Sequence, residues 1–175
     1  MLGGNILTID QDGVITPQQK FTAYREVEFN DVFMNTKLGP SAPTTMIRSG
    51  VLREIGGYHP QNNLEDLYLW LRITHLGYRI AILNDVLAYY RKHRTNTTKN
   101  YRFMTESILD IYADYQDHPD YPRARNKILI SRFLKISEIN RKYAWELLKQ
   151  IDPAFYNLKV LRGLVRLLLP AKKHI

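Results

Sequence analysis

The chain has 175 residues, 45% of them hydrophobic, enough for one core plus an appendage and too few for two complete independent domains. Without cysteine it can form neither a disulfide nor a thiolate metal cage, which suits a reducing cytosol. Its net charge of +8 favours polyanions; the start, MLGGNILTIDQDG, lacks the basic and long apolar regions of a signal peptide, and no stretch nears the roughly 20 apolar residues that cross a bilayer.

In chain order, Gly3-Gly4 leads into NILTID, a strand-like run. Asp12-Gly13 is a hairpin signal, with VIT as the returning arm. A chain that opens directly on a strand is expected to continue from earlier elements. FTAYREVEFNDVFMN (21–35) reads as a short helix, TKLGPSAP as a loop and SAPTTMIR as a short strand. SGVLREIGG is a small helix, with Ser49 as cap and Gly56-Gly57 as left-handed stop. Asn62 or Asn63 caps the next helix and Gly77 ends it. YRIAIL is a strand; NDVLAYYRKH turns and extends again. From about Thr98 the pattern turns helical, with HPDYP and Asp152-Pro153 as breaks. The expected fold class is therefore α/β: a partial sheet with flanking helices over 1–98, then a helical extension over 99–175.

The segment NNLEDLYLWLRITHLG places two acids, Glu65 and Asp66, in the first turn of an otherwise apolar helix. At 100° per residue, Glu65, Tyr68, Arg72 and His75 form one stripe, expected to be partly wet. Asp66 lines up with Leu69, Trp70, Ile73 and Leu76 on the stripe that faces the core. Acids favour first turns through the helix dipole alone. A carboxylate over a greasy stripe has a second use, at the rim of a cleft. There the helix N-terminus lowers its pKa and desolvation raises it.

Four stretches, taken together, resemble the acceptor-side half of a GT-A-fold glycosyltransferase of the large inverting family 2. They are GGNILTIDQDGVI, SAPTTMIRSGVLREIGGYHP, NNLEDLYLWLRITHLGYRIAIL and NDVLAYYRKHRTNTT. The resemblance covers about residues 3–98. It implies a transfer from a nucleotide-sugar to an acceptor hydroxyl with inversion, in bacterial surface polysaccharide or lipopolysaccharide synthesis. It makes Asp66 the general base and Glu65 its helper at the acceptor. Arg91, Arg94, Pro43, Thr44 and Trp70 become substrate-binding residues. His93 falls where a family His approaches the diphosphate or its metal. Two departures stand out. Tyr68 occupies a place where the family often has Asp. The nucleotide-binding half with its Asp-x-Asp metal motif is missing, since the D-Q-D of Asp10 and Asp12 reads as a turn. The Mn²⁺ or Mg²⁺ implied for a full enzyme is therefore not expected on this chain by itself. The truncated sheet is expected to expose edges and to self-associate.

Residues 121–175 carry most of the excess positive charge. LKVLRGLVRLLLPAKKH sets Lys159, Arg162 and Arg166 against apolar positions, a basic amphipathic helix with Lys172 and Lys173 behind Pro170. Two readings stand: a helix on an anionic membrane surface over 156–173, or one packed on the body with solvated charges. The first suits a cytoplasmic enzyme, peripheral at the inner membrane face, with a lipid-linked acceptor. Two other classes remain: a non-catalytic scaffold of the same fold, and nucleic-acid binding. The latter is disfavoured because the charges accompany an apolar stripe rather than interleaved aromatics.

Overall fold

The computed structural model describes residues 1–59, 63–93 and 100–169. The protein is mixed α/β and divides into two compact units, Met1–Lys99 and Asn100–Ile175.

The first unit is built on a three-stranded sheet. Strand β1 is Leu2–Ile9, β2 is Arg25–Val27 and β3 is Ile80–Arg91, in the order β1-β3-β2. β1 runs parallel to β3 and β2 antiparallel to it. NDVLAYYR, read from sequence as a turn and a new extension, instead continues one twelve-residue strand. The irregularity lies within it: the register with β1 slips between Gly3 and Asn5, and again between Asn5 and Ile6. Asn5 makes the slip affordable. Its buried amide donates to the carbonyls of Thr22 (2.9 Å) and Asn84 (2.8 Å) and accepts from the Thr22 N–H at 2.7 Å, so the disrupted backbone stays bonded. Gly4 is needed beside it, since a Cβ there would stand 2.7 Å from Leu87 Cδ1 and 2.9 Å from the Asp85 carbonyl.

The Asp12-Gly13 turn forms, with Gly13 at φ 88°. Its returning arm pairs with β1 only at the bridge Ile9–Ile15. The segment 21–35 is β2 followed by helix α1, Phe29–Met34, rather than one helix. SAPTTMIR is mainly a 3-10 turn, Ala42–Thr44, with a single bridge from Met46 to Leu2; the proline in that turn cannot donate to a ladder. Helix α2 spans Ser49–Glu54 and stops at Gly56 and Gly57, both at positive φ. Arg48 holds its cap position, so Ser49 lies inside the helix and does not cap it.

Helix α3 is Glu65–His75 and ends at Gly77, φ 86°. Leu64 sits at its cap, one place after Asn63; Asn62 lies outside the described residues. Leu67, Leu69, Trp70, Leu71 and Ile73 are buried. Leu76, expected in the core, is exposed because the helix has ended there. Tyr68, expected on a wet stripe, is only 7% exposed: its ring lies 5.6 Å from that of His59, and the Arg72 guanidinium lies over it at 5.8 Å.

The second unit is helical: α4 Tyr101–Ala113, α5 Tyr121–Ile136, α6 Arg141–Leu148 and α7 Leu158–Leu168. Asn100, Asn140 and Asn157 each cap the following helix through a side-chain oxygen. The cap at Asn140 splits what reads in sequence as one helical stretch. Leu129, Phe133, Ile136, Tyr143, Leu147, Val160 and Leu167 form the core between α5, α6 and α7. Among the described residues no helix is long and apolar enough to cross a membrane. Pro170, Lys172 and Lys173 lie outside them.

Candidate functional site

The first turn of α3 sets Glu65 in solvent and Asp66 half-buried. Asp66 Oδ1 accepts from the Leu67 N–H at 2.7 Å, which satisfies one donor of a helix start that has no side-chain cap of its own. Its carboxyl is held above the ordinary carboxylate range. Desolvation is the largest cause; the Leu67 N–H opposes it, and the neighbouring Glu65 adds to it. The backbone N–H groups and desolvation thus oppose each other at this residue, and desolvation wins. An ionised Asp66 is therefore a stronger proton acceptor than a solvated one.

One turn further along the same face lies Trp70, buried to 7% exposure, with an indole N–H that is buried and unpartnered. The ring packs on Gly39, where a Cβ would come within 2.3 Å of Cε3. Gly39 opens the loop to the Ala42–Thr44 turn, so this contact ties the face that carries Asp66 to the segment holding Pro43 and Thr44. Pro43 is exposed and Thr44 buried. The Thr44 hydroxyl is fully used inside the fold: it accepts from the Gly4 N–H at 3.0 Å and lies 2.7 Å from the Ser41 carbonyl. It clamps the turn to β1.

Arg91 closes β3, exposed, where its Nη1 donates to the carbonyls of Gln11 (2.7 Å) and Asp10 (3.1 Å). Its guanidinium thus holds the turn after β1. Arg91 pairs with Ile9 and Thr44 with Gly4, five residues apart on the same strand, a separation of roughly 16 Å. The predicted substrate residues therefore fall into two groups at opposite ends of β1. His93 is exposed just past β3, and Arg94 lies outside the described residues.

Asp10 spends its carboxylate on the turn, where Oδ1 accepts from the Val14 N–H (2.9 Å) and the Asp12 N–H (3.0 Å). Among the described residues no group of three or more His, Asp or Glu side chains gathers to hold a metal ion.

Sequence reading missed a small pocket of about 140 Å³ in the first unit. Lys20, Arg25 and Lys37 line it with Asn5 and Gly39, and no acid is among its described walls. Arg25 donates to the Leu38 carbonyl at 2.9 Å, leaving its buried Nε unpartnered. Lys20 comes from a loop, Arg25 from the start of β2 and Lys37 from a 3-10 turn, and they share no spacing in sequence; the fold brings them together. Asp66 is not among the walls. No family model, no curated protein and no solved structure matches the chain.

Proposed function

We propose that residues 1–98 form the acceptor side of an inverting glycosyltransferase with a GT-A-type sheet, and that Asp66 is its general base. The observation that carries this reading is the half-buried Asp66 carboxyl, raised in pKa by desolvation, at the first turn of a helix packed through Trp70. In the reaction, the Asp66 carboxylate accepts the proton of an acceptor sugar hydroxyl. The hydroxyl oxygen bonds to the anomeric carbon of a nucleotide-sugar from the opposite face. The bond from that carbon to the diphosphate breaks, and the nucleoside diphosphate leaves with the electron pair. A positioned general base is typically worth a factor of about 10²–10⁴, and desolvation of Asp66 makes its carboxylate the readier proton acceptor. Glu65, in solvent beside it, orients the acceptor. The donor must be held by residues other than these. The corresponding place of work is the cytosolic face of a membrane that carries lipid-linked acceptors.

The engagement of Thr44 and Arg91 inside the fold favours a second reading, a non-catalytic module that keeps the architecture without turnover. One experiment separates the two. The protein, and any longer product of the same gene, is screened against nucleotide-sugars for binding, hydrolysis and transfer. The enzymatic reading expects turnover that falls about 10²–10⁴-fold in Asp66→Asn. Full activity in that variant removes Asp66 from the role; absence of any nucleotide-sugar binding supports the non-catalytic module.

A further inference from the structure

Helix α7 carries two apolar faces, and among the described residues only one of them is covered. Val160, Gly163 and Leu167 are buried, and Leu164 packs partly buried against the same core. Gly163 allows this close approach, since a Cβ there would lie 2.3 Å from Phe133 Cε1. Leu158, Leu161, Val165 and Leu168 fall within an arc of about 80° on the other side. They stand in solvent, with Leu158 75% and Leu168 82% exposed.

The surroundings of this stripe are cationic. Lys159 and Arg162 are exposed along one flank. Arg166, next in that row, is held by Glu138 at 3.0 Å and by the Leu134 carbonyl at 2.9 Å. At the far end Arg141 donates to the Leu169 carbonyl. At the near end Leu158 and Lys159 share a groove of about 470 Å³ with Arg123, Lys127 and the apolar side chains of Ile130 and Phe155. Across 121–175 there are thirteen Lys and Arg against three Asp and Glu.

We infer that this face is a docking surface for an anionic lipid bilayer: the leucine stripe of α7 enters the acyl boundary while Lys159, Arg162 and the Arg123–Lys127 groove hold lipid phosphates. Charge complementarity selects this occupant. An antiparallel second copy related by a two-fold axis would set the cationic flank against its own like; an anionic headgroup layer instead matches an apolar stripe edged by cations. The helix is eleven residues long, about 16 Å, too short to span the hydrocarbon and suited to lying in its surface. The surface lies wholly in residues 100–169 and does not depend on sugar transfer.

The test is co-sedimentation of the full chain with phosphatidylcholine vesicles, with and without phosphatidylglycerol, over a sodium chloride series. Binding is expected only with the anionic lipid and should weaken as salt rises. The pair Leu161→Ser, Leu168→Ser should weaken it at least about tenfold, and Lys127→Glu, Lys159→Glu by about fivefold or more per cation. All four side chains are exposed, and circular dichroism of each variant checks the fold. Equal binding to neutral vesicles overturns the inference. So does undiminished binding by the serine pair. So does glycerol phosphate binding without vesicle binding, or a stable dimer in sedimentation that the serine pair dissolves while vesicles remain unbound.

Discussion

The indole of Trp70 lies against bare backbone at Gly39, where a single methyl group would stand 2.3 Å from Cε3. The contact joins helix α3 to the loop that precedes the Ala42–Thr44 turn, so it sets where the Asp66 face stands relative to that turn. Gly39→Ala is expected to destabilise the first unit by about 1–3 kcal/mol, the usual cost of overpacking a filled site. Urea denaturation followed by tryptophan emission reads it. Unchanged stability with unchanged emission would show that the loop yields freely.

Thr44 tests whether a predicted ligand contact is a structural clamp. Thr44→Val should cost about 1–3 kcal/mol, because the Gly4 N–H loses the buried hydroxyl it donates to, while the Ser41 carbonyl keeps only the Thr44 N–H. Thr44→Ser keeps the hydroxyl and should recover most of the loss. Equal midpoints for wild type and Thr44→Val in thermal unfolding would contradict the clamp.

Asp66 makes the first unit sensitive to pH in a defined direction. Its folded pKa is raised, so the folded state binds this proton more tightly than the unfolded state does. The stabilisation is fully present below the ordinary carboxylate pKa and is lost as pH rises through the raised value. Asp66→Asn removes the ionisation. The variant should therefore gain stability relative to wild type at neutral pH, and the gain should vanish in acid. A difference between the two proteins that stays constant across that range of pH, measured by thermal unfolding, would refute the assignment.

Gly163 is the corresponding close approach in the helical unit. Glycine to alanine inside a helix ordinarily stabilises by about 1 kcal/mol. Here the added methyl meets Phe133, which is fully buried. Gly163→Ala is expected to lower stability by about 1–3 kcal/mol instead, and Gly163→Val to lower it further. Chemical denaturation followed by circular dichroism gives the sign directly.

Much of this protein was legible without coordinates. Local chemistry fixes what local chemistry controls: Gly56, Gly57 and Gly77 end helices because only glycine takes their positive φ cheaply, and Asp12-Gly13 makes its turn for the same reason. The 3.6-residue rhythm located α3, α4 and α7, and it placed Asp66 above Leu69, Trp70 and Ile73, all of which are buried. Periodicity has no means of counting partners. It could not tell that β1 runs parallel to β3, that the apparent turn at Asn84-Asp85 is a slip inside one strand bonded by Asn5, or that Tyr68 is buried between His59 and Arg72. Those depend on residues tens of positions apart that meet only when the chain closes. The same holds for the hydroxyl of Thr44 and the guanidinium of Arg91, which from sequence were available to a ligand and in the fold bind backbone carbonyls and N–H groups. On α7 the sequence supplied an apolar stripe wide enough for two uses; packing against Phe133 covered one side, and the tertiary structure alone decided which leucines were left facing out.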